Sequence, residues 1–187
     1  MVGRRQGRRR HSADERRALV LEAARMEFAA VGLGAATGES IAYRAEISHP
    51  YLLRLFGSKR ELFLTVVDRT FDELLQAVGE AASSSDGRLT IPAAEQAIVT
   101  YLEDRGGSAL LLQFLAACGD DEIRPVVRRR FADLYRALGR ISGLEEPEVP
   151  QLFARLVLRG ATETLRLPEV AGRAAWAREL LTLATTP

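Results

Sequence analysis

Apolar residues recur at steps of three and four along most of the chain, and Gly, Pro, Ser and Asp interrupt them at intervals. That rhythm predicts amphipathic helices separated by short turns. The first helix spans 13–31, with Val20, Ala24, Phe28 and Val31 on one face and Leu19, Ala23 and Met26 flanking it. Ser12 and Glu15 have the spacing of a capping box at its start, and Gly32 and Gly34 end it. Thr37 caps a short second helix over 38–45, whose inner side is Ile41, Ala42 and Ala45. Glu46 and Ile47 form a turn. Ser48 then caps a third helix over 49–56, which tolerates Pro50 in its first turn. Gly57 breaks this helix, and Ser58 caps a long one that begins near Lys59 and carries Leu62, Phe63, Val66, Val67, Thr70, Phe71, Leu74, Leu75 and Val78. The polar run 83–87 ends it.

Five more helices are predicted at 91–104, 108–118, 121–141, 147–165 and 171–185, with turns at 106–107, 119–120, 143–147 and 167–168. No segment has the period of a strand and no repeat is present. The fold class is therefore all-α, with about nine helices.

Composition changes this picture little, but charge changes it more. Apolar residues make up 47% of the 187, enough for a core. The single cysteine, Cys118, excludes an internal disulfide and suits a reducing compartment. No apolar run approaches the ~20 residues of a membrane span, and no apolar segment follows the basic start as in a secretory signal. A soluble, cytoplasmic protein without membrane association is expected. The net charge of +1 hides an asymmetry: residues 1–60 hold twelve basic and six acidic residues, the remainder fourteen and nineteen. A basic head on an acidic body suggests a polyanionic partner for the head. Arg4, Arg5, Arg8, Arg9 and Arg10 lie in an aperiodic arm, 1–11, read as disordered. The arm is either a plain solvated tail or a strand that tracks DNA phosphates.

Enzyme chemistry finds few groups to use. The histidines are His11 and His49, and the chain has no HExxH, no paired Glu-x-x-His and no phosphate-cradling glycine loop. Asp120, Asp121 and Glu122 read as a helix N-terminus, not as a metal cage. No enzyme activity, metal or cofactor is expected. A basic membrane-surface helix is disfavoured by Glu22 and Glu27 in the first helix. The two short helices over 37–56 offer a different function. Joined by a tight turn, they form a helix-turn-helix whose second member fits a major groove about 12 Å wide. Ser48, His49, Tyr51 and Arg54 are the polar residues it would bring to double-stranded DNA.

From Arg17 to Val67 the chain resembles the N-terminal signature of the tetracycline-repressor (TetR) family, in LVLEAARMEFAAVGLGAAT, SIAYRAEIS and PYLLRLFGSKRELFLTVV. Beyond Val67 the likeness is one of length and helical character only. The resemblance implies a DNA-binding head at 12–58 and an effector-binding and dimerisation body at 59–187. It implies a regulator, in the first instance a repressor, whose homodimer binds a palindromic operator and is released by a small-molecule effector. A regulator with no effector and a small helical-bundle enzyme are the alternatives. The DNA-binding positions carried over are Thr37, Ser48, His49, Pro50, Tyr51, Arg54 and Lys59. Lys59, the one lysine among 26 basic residues, would contact the DNA backbone as a point charge.

Three positions depart from the family pattern. Glu46 stands where glycine is usual. Leu53 stands where a phosphate-binding tyrosine is frequent, leaving Tyr51 or Arg54 to compensate. Glu39 stands where some members present a basic residue, so it either points away from DNA or reads a cytosine amino group. The resemblance places the dimer face on the last two helices, with Leu152, Phe153, Leu156, Val157 and Gly160 in one stripe and Trp176, Leu180, Leu181 and Leu183 in the other. It places the pocket for a small apolar or amphipathic effector among Phe71, Tyr101, Gln113, Phe114, Cys118, Phe131 and Tyr135.

Overall fold

The computed structural model describes residues 12–83, 91–142 and 148–185. The basic arm, 1–11, and residues 84–90 and 143–147 lie outside the described residues. Among the described residues all regular structure is helical: α1 (Ala13–Ala35), α2 (Gly38–Arg44), α3 (His49–Phe56), α4 (Lys59–Ser83), α5 (Ile91–Arg105), α6 (Gly107–Ala116), α7 (Ile123–Ser142), α8 (Glu148–Thr164) and α9 (Ala175–Thr185). None of these helices is long and apolar enough to cross a membrane.

Local chemistry accounts for most boundaries. At the start of α1, Glu15 N donates to Ser12 Oγ (3.1 Å) and Ser12 N donates to Glu15 Oε2 (2.7 Å), a reciprocal cap. Gly32 breaks the regular helix where expected, but the break is a kink and not an end. It adopts φ 72 and ψ 173, a conformation that favours glycine, and one further turn follows to Ala35. The Gln113 side chain of α6 occupies the space that a Cβ on Gly32 would need. Helix α7 begins at Ile123, two residues later than predicted, because Asp120 Oδ1 accepts the N–H groups of Glu122 (2.9 Å) and Ile123 (3.3 Å). Helix α9 also begins late. Arg166 takes a positive φ of 52 and a 3₁₀ turn at Leu167–Glu169 buries Leu167, so the chain stays in turns up to Ala175.

Helix α4 is the spine, packed against α1, α5 and α7, while α6 packs on both α1 and α8. A chain of rings runs through the centre. Phe28 of α1 meets Phe63 of α4 edge-to-face at 5.0 Å, and Phe63 meets Phe114 of α6 at 5.5 Å. Phe71, Phe131 and Phe153 continue it through α4 and α7 to α8. One continuous core therefore joins the first helix to the eighth. Charged groups reinforce the joint at its surface: Arg60 at the start of α4 reaches Asp120 Oδ2 and Glu122 Oε2, each at 2.9 Å. The Glu122 and Ile123 amides, together with Arg60, hold the Asp120 carboxyl below its ordinary range.

Candidate nucleic-acid interface

Helix α2 opens on Thr37, whose Oγ1 accepts from Ser40 N (3.0 Å) while Thr37 N donates to Ser40 Oγ (3.3 Å). Its other end closes with Glu46 N on Tyr43 O (3.1 Å) and Ile47 N on Ala42 O (3.0 Å), the paired bonds of a Schellman turn. That turn requires a left-handed residue, and Glu46 supplies it at φ 53. A side chain there costs about 1 kcal/mol relative to glycine. Glu46→Gly is therefore expected to raise stability by up to about 1 kcal/mol, read as a higher denaturation midpoint at unchanged slope. An unchanged or lower midpoint would show that the Glu46 side chain offsets the strain.

Ser48 holds the N-cap position of α3, and its carbonyl accepts from Tyr51 N and Leu52 N. Its hydroxyl makes no capping bond, contrary to expectation, and stays at the exposed end of the helix. Leu52 and Phe56, one turn apart, bury the inner face, and Arg17 of α1 clamps it by donating to Leu55 O (2.9 Å) and lying 4.3 Å over the Phe56 ring. The outer face presents Pro50, Leu53 and Arg54, with Tyr51 half-buried beside them. The Arg54 guanidinium lies 4.8 Å from the Tyr51 ring centroid, so the cation and phenol form one unit. Leu53, where the phenol is missing, is partly exposed on that same face.

His49 does not extend freely from the helix. Its Nδ1 lies 3.1 Å from Glu39 Oε1, and its ring covers Gly38, where a Cβ would come within 2.5 Å of Nε2. The Glu39 carboxylate is thus turned toward the start of α3. Lys59 is also placed differently from the expectation. Its ammonium points into the head and donates to Leu33 O and Ala36 O, both at 2.7 Å, which engages two of its three N–H groups. Tyr43, at 88% exposure the barest aromatic of α2, was passed over in the sequence. Its position one turn after Glu39 was the available signal.

The expected effector residues separate. Phe71 and Phe131 line an apolar cavity of about 40 Å3 between α4, α5, α6, α7 and α8. Gln113 sits instead at Gly32, and Phe114 is a member of the ring chain. Tyr101 donates its hydroxyl to Glu73 Oε2 (2.7 Å), and Cys118 Sγ donates to Phe114 O (3.3 Å). Tyr135 lies in an open groove with Phe153 and Val157. None of these five lines the cavity between α4 and α8. The reason is helical phase: α6 turns Ser108, Leu111, Leu112 and Leu115 to the cavity and Gln113 toward α1. The cavity's Ser108 hydroxyl is already bonded to Glu163 Oε2 at 2.6 Å.

The two expected dimer stripes are also divided. Leu152 is fully buried in the protomer's own core, and Gly160 faces Ser108 of α6. Phe153, Leu156, Leu180 and Leu181 are half-buried, whereas Val157, Trp176 and Leu183 are exposed, Trp176 at 55%. Leu165, just past the end of α8, is 65% exposed as well. Helix α9 packs mainly on α8 and on the 3₁₀ turn before it.

A capped pair of short helices with an exposed second member is a helix-turn-helix, set here on an all-α body. Residues 20–66 match the family described as bacterial regulatory proteins, tetR family. The HTH-type transcriptional activator FasR of Mycolicibacterium smegmatis is 38% identical over 102 residues, a stretch covering 54% of this chain and 47% of that protein. The chain thus matches about half the length of this relative. A TetR-like transcriptional regulator from Rhodococcus sp. RHA1 has the same fold, with a TM-score of 0.62 at 22% identity over 94% of this chain and 96% of that one. The regulator SCO7518 of Streptomyces coelicolor A3(2) superposes at 0.60 with 15% identity, covering 92% and 99% of the two chains. The chain therefore carries a tetR-family head over residues 20–66, on a body that shares the fold of TetR-like regulators.

Proposed function

We propose that the protein acts as a homodimer that inserts α3 of each head into successive major grooves of a palindromic operator and, in doing so, represses transcription. The observation that carries this reading is the outer face of α3. Its inner face is committed to the core, while Ser48, Pro50, Tyr51 and Arg54 are left at one surface. In this arrangement the Ser48 hydroxyl and Tyr51 meet base edges, Pro50 gives apolar contact, and Arg54 meets phosphate. Thr37 supports the unit by capping α2. The basic arm, 1–11, adds phosphate contacts and so steepens the salt dependence.

Residues 12–58 serve as the reading head and 59–187 as the sensing and pairing body. Pairing uses the apolar side chains that α8, α9 and the turn between them leave exposed, Val157, Leu165, Trp176 and Leu183, which a second copy covers. The effector is small and apolar. A cavity of about 40 Å3 is far smaller than the ~300–1,000 Å3 of ordinary ligand sites, so entry must displace its walls. Helix α6 is one of those walls and also touches α1 at Gly32, so the same displacement shifts the head and weakens DNA binding.

Selection of bound duplexes from a random pool at low salt tests the reading. Enrichment of an inverted repeat is expected, and failure to enrich any duplex would overturn it. A second reading is activation, favoured by the 38% identity to a protein named as an activator. A reporter carrying the enriched site separates the two: expression falls on adding the protein if it represses and rises if it activates.

A further inference from the structure

We propose that Glu39 is a base-reading residue with a preference for cytosine, and that His49 is the positioning residue that aims it. The inference rests on the DNA-reading function proposed above. Glu39 belongs to α2, but its carboxylate is held 3.1 Å from Nδ1 of His49, the first residue of α3. The first turn of a recognition helix is the part that reaches base edges. The pairing therefore brings an α2 carboxylate to the end of α3 that enters the groove. The side chain remains 71% exposed, and pairing through Oε1 leaves Oε2 to accept a bond from outside.

Two features seat this pair at the start of α3. The contact at Nδ1 favours the tautomer with its proton on that nitrogen, so an N–H dipole faces the Glu39 oxygen. Gly38 makes room for the ring: a Cβ there would meet Nε2 at 2.5 Å and Cδ2 at 2.8 Å, so that edge of the imidazole rests against the start of α2 beside Glu39. The base preference follows from acceptor chemistry. An ionised carboxylate only accepts. Cytosine offers its N4 amino group with no acceptor beside it, whereas adenine places N7 next to N6 and guanine shows two acceptors. Cytosine is the base that this unit reads.

The test is parallel selection from random duplex pools with the wild-type chain, Glu39→Ala, Glu39→Gln and His49→Ala, each first shown to melt cooperatively. The wild-type half-site is expected to contain a fixed cytosine. Glu39→Ala should flatten that one position by on the order of ten- to a hundredfold while the others persist. It should also raise affinity for unrelated duplex, because a negative charge is gone. Glu39→Gln should turn the same position toward adenine, which an amide matches with both donor and acceptor. His49→Ala should blur that position too. An unchanged motif in Glu39→Ala, or a change at a different position in His49→Ala, overturns the proposal while leaving the DNA-reading function standing. Failure of the wild type to enrich any duplex overturns both.

Discussion

Phe63→Ala should destabilise the protein by about 3–5 kcal/mol, the range for truncating a fully buried aromatic. Phe63 has no exposed surface, and its ring stands edge-to-face between Phe28 of α1 and Phe114 of α6. Its removal deletes the transfer term, leaves a cavity and breaks two aromatic contacts worth ~0.5–1.5 kcal/mol each. Against a total stability of ~5–15 kcal/mol this is a large fraction. Because the ring joins α1 to the body, head and body should weaken together. A denaturant titration followed by far-UV dichroism should show one transition at a much lower midpoint. A loss below ~1 kcal/mol would mean that the site collapses around the gap. Two separate transitions would mean that head and body fold independently.

The second large effect is expected at Lys59. Lys59→Met retains the apolar stem and removes the two bonds to Leu33 O and Ala36 O. Charge-assisted hydrogen bonds contribute ~1.5–3 kcal/mol each when sheltered. This pair is part-buried, so a combined loss of about 2–3 kcal/mol is expected. The bonds fasten the α1–α2 corner to the start of α4, which fixes the angle at which the helix-turn-helix leaves the spine. DNA affinity should therefore fall with little change in its salt dependence. A phosphate-contacting lysine gives the opposite pattern: unchanged stability and a salt slope shallower by ~1 per head. Measuring the denaturation midpoint together with log K against log salt distinguishes the two roles, and the second pattern would overturn the corner role.

These two residues show what the sequence conveyed. The Ser12, Thr37 and Ser58 caps were legible because each closes on a residue three positions away, and Ser58 Oγ indeed accepts from Glu61 N at 3.1 Å. The special position of Glu46 was legible only through the resemblance, in which glycine is usual there, and its φ of 53 keeps the left-handed turn that glycine would make. The direction of Lys59 was not, because its acceptors lie 23 and 26 residues away and are backbone oxygens, which carry no side-chain signal. Gln113 was assigned to the cavity because a polar group on an apolar helix suggests ligand binding. Its place at Gly32 depends on a backbone break in another helix. Leu152 and Gly160 matched the apolar stripe of α8, but periodicity does not say whether a stripe faces its own core or a second chain. The Glu39–His49 pair joins two helices across the turn, and neither residue's local spacing predicts it.

The seat of Lys59 has a chemical consequence. The other 25 basic residues are arginines, so the chain has a single lysine ε-amine, and that amine is bound inside the corner of its helix-turn-helix. Acylating reagents attack a free, deprotonated amine, and here both carbonyl contacts must break first. The rate at which this one site is modified therefore measures how often the corner opens, as slow amide exchange does for a buried strand. The protein carries a built-in reporter for the rigidity of its reading head, which can be followed by mass without an added label, in the presence or absence of operator DNA.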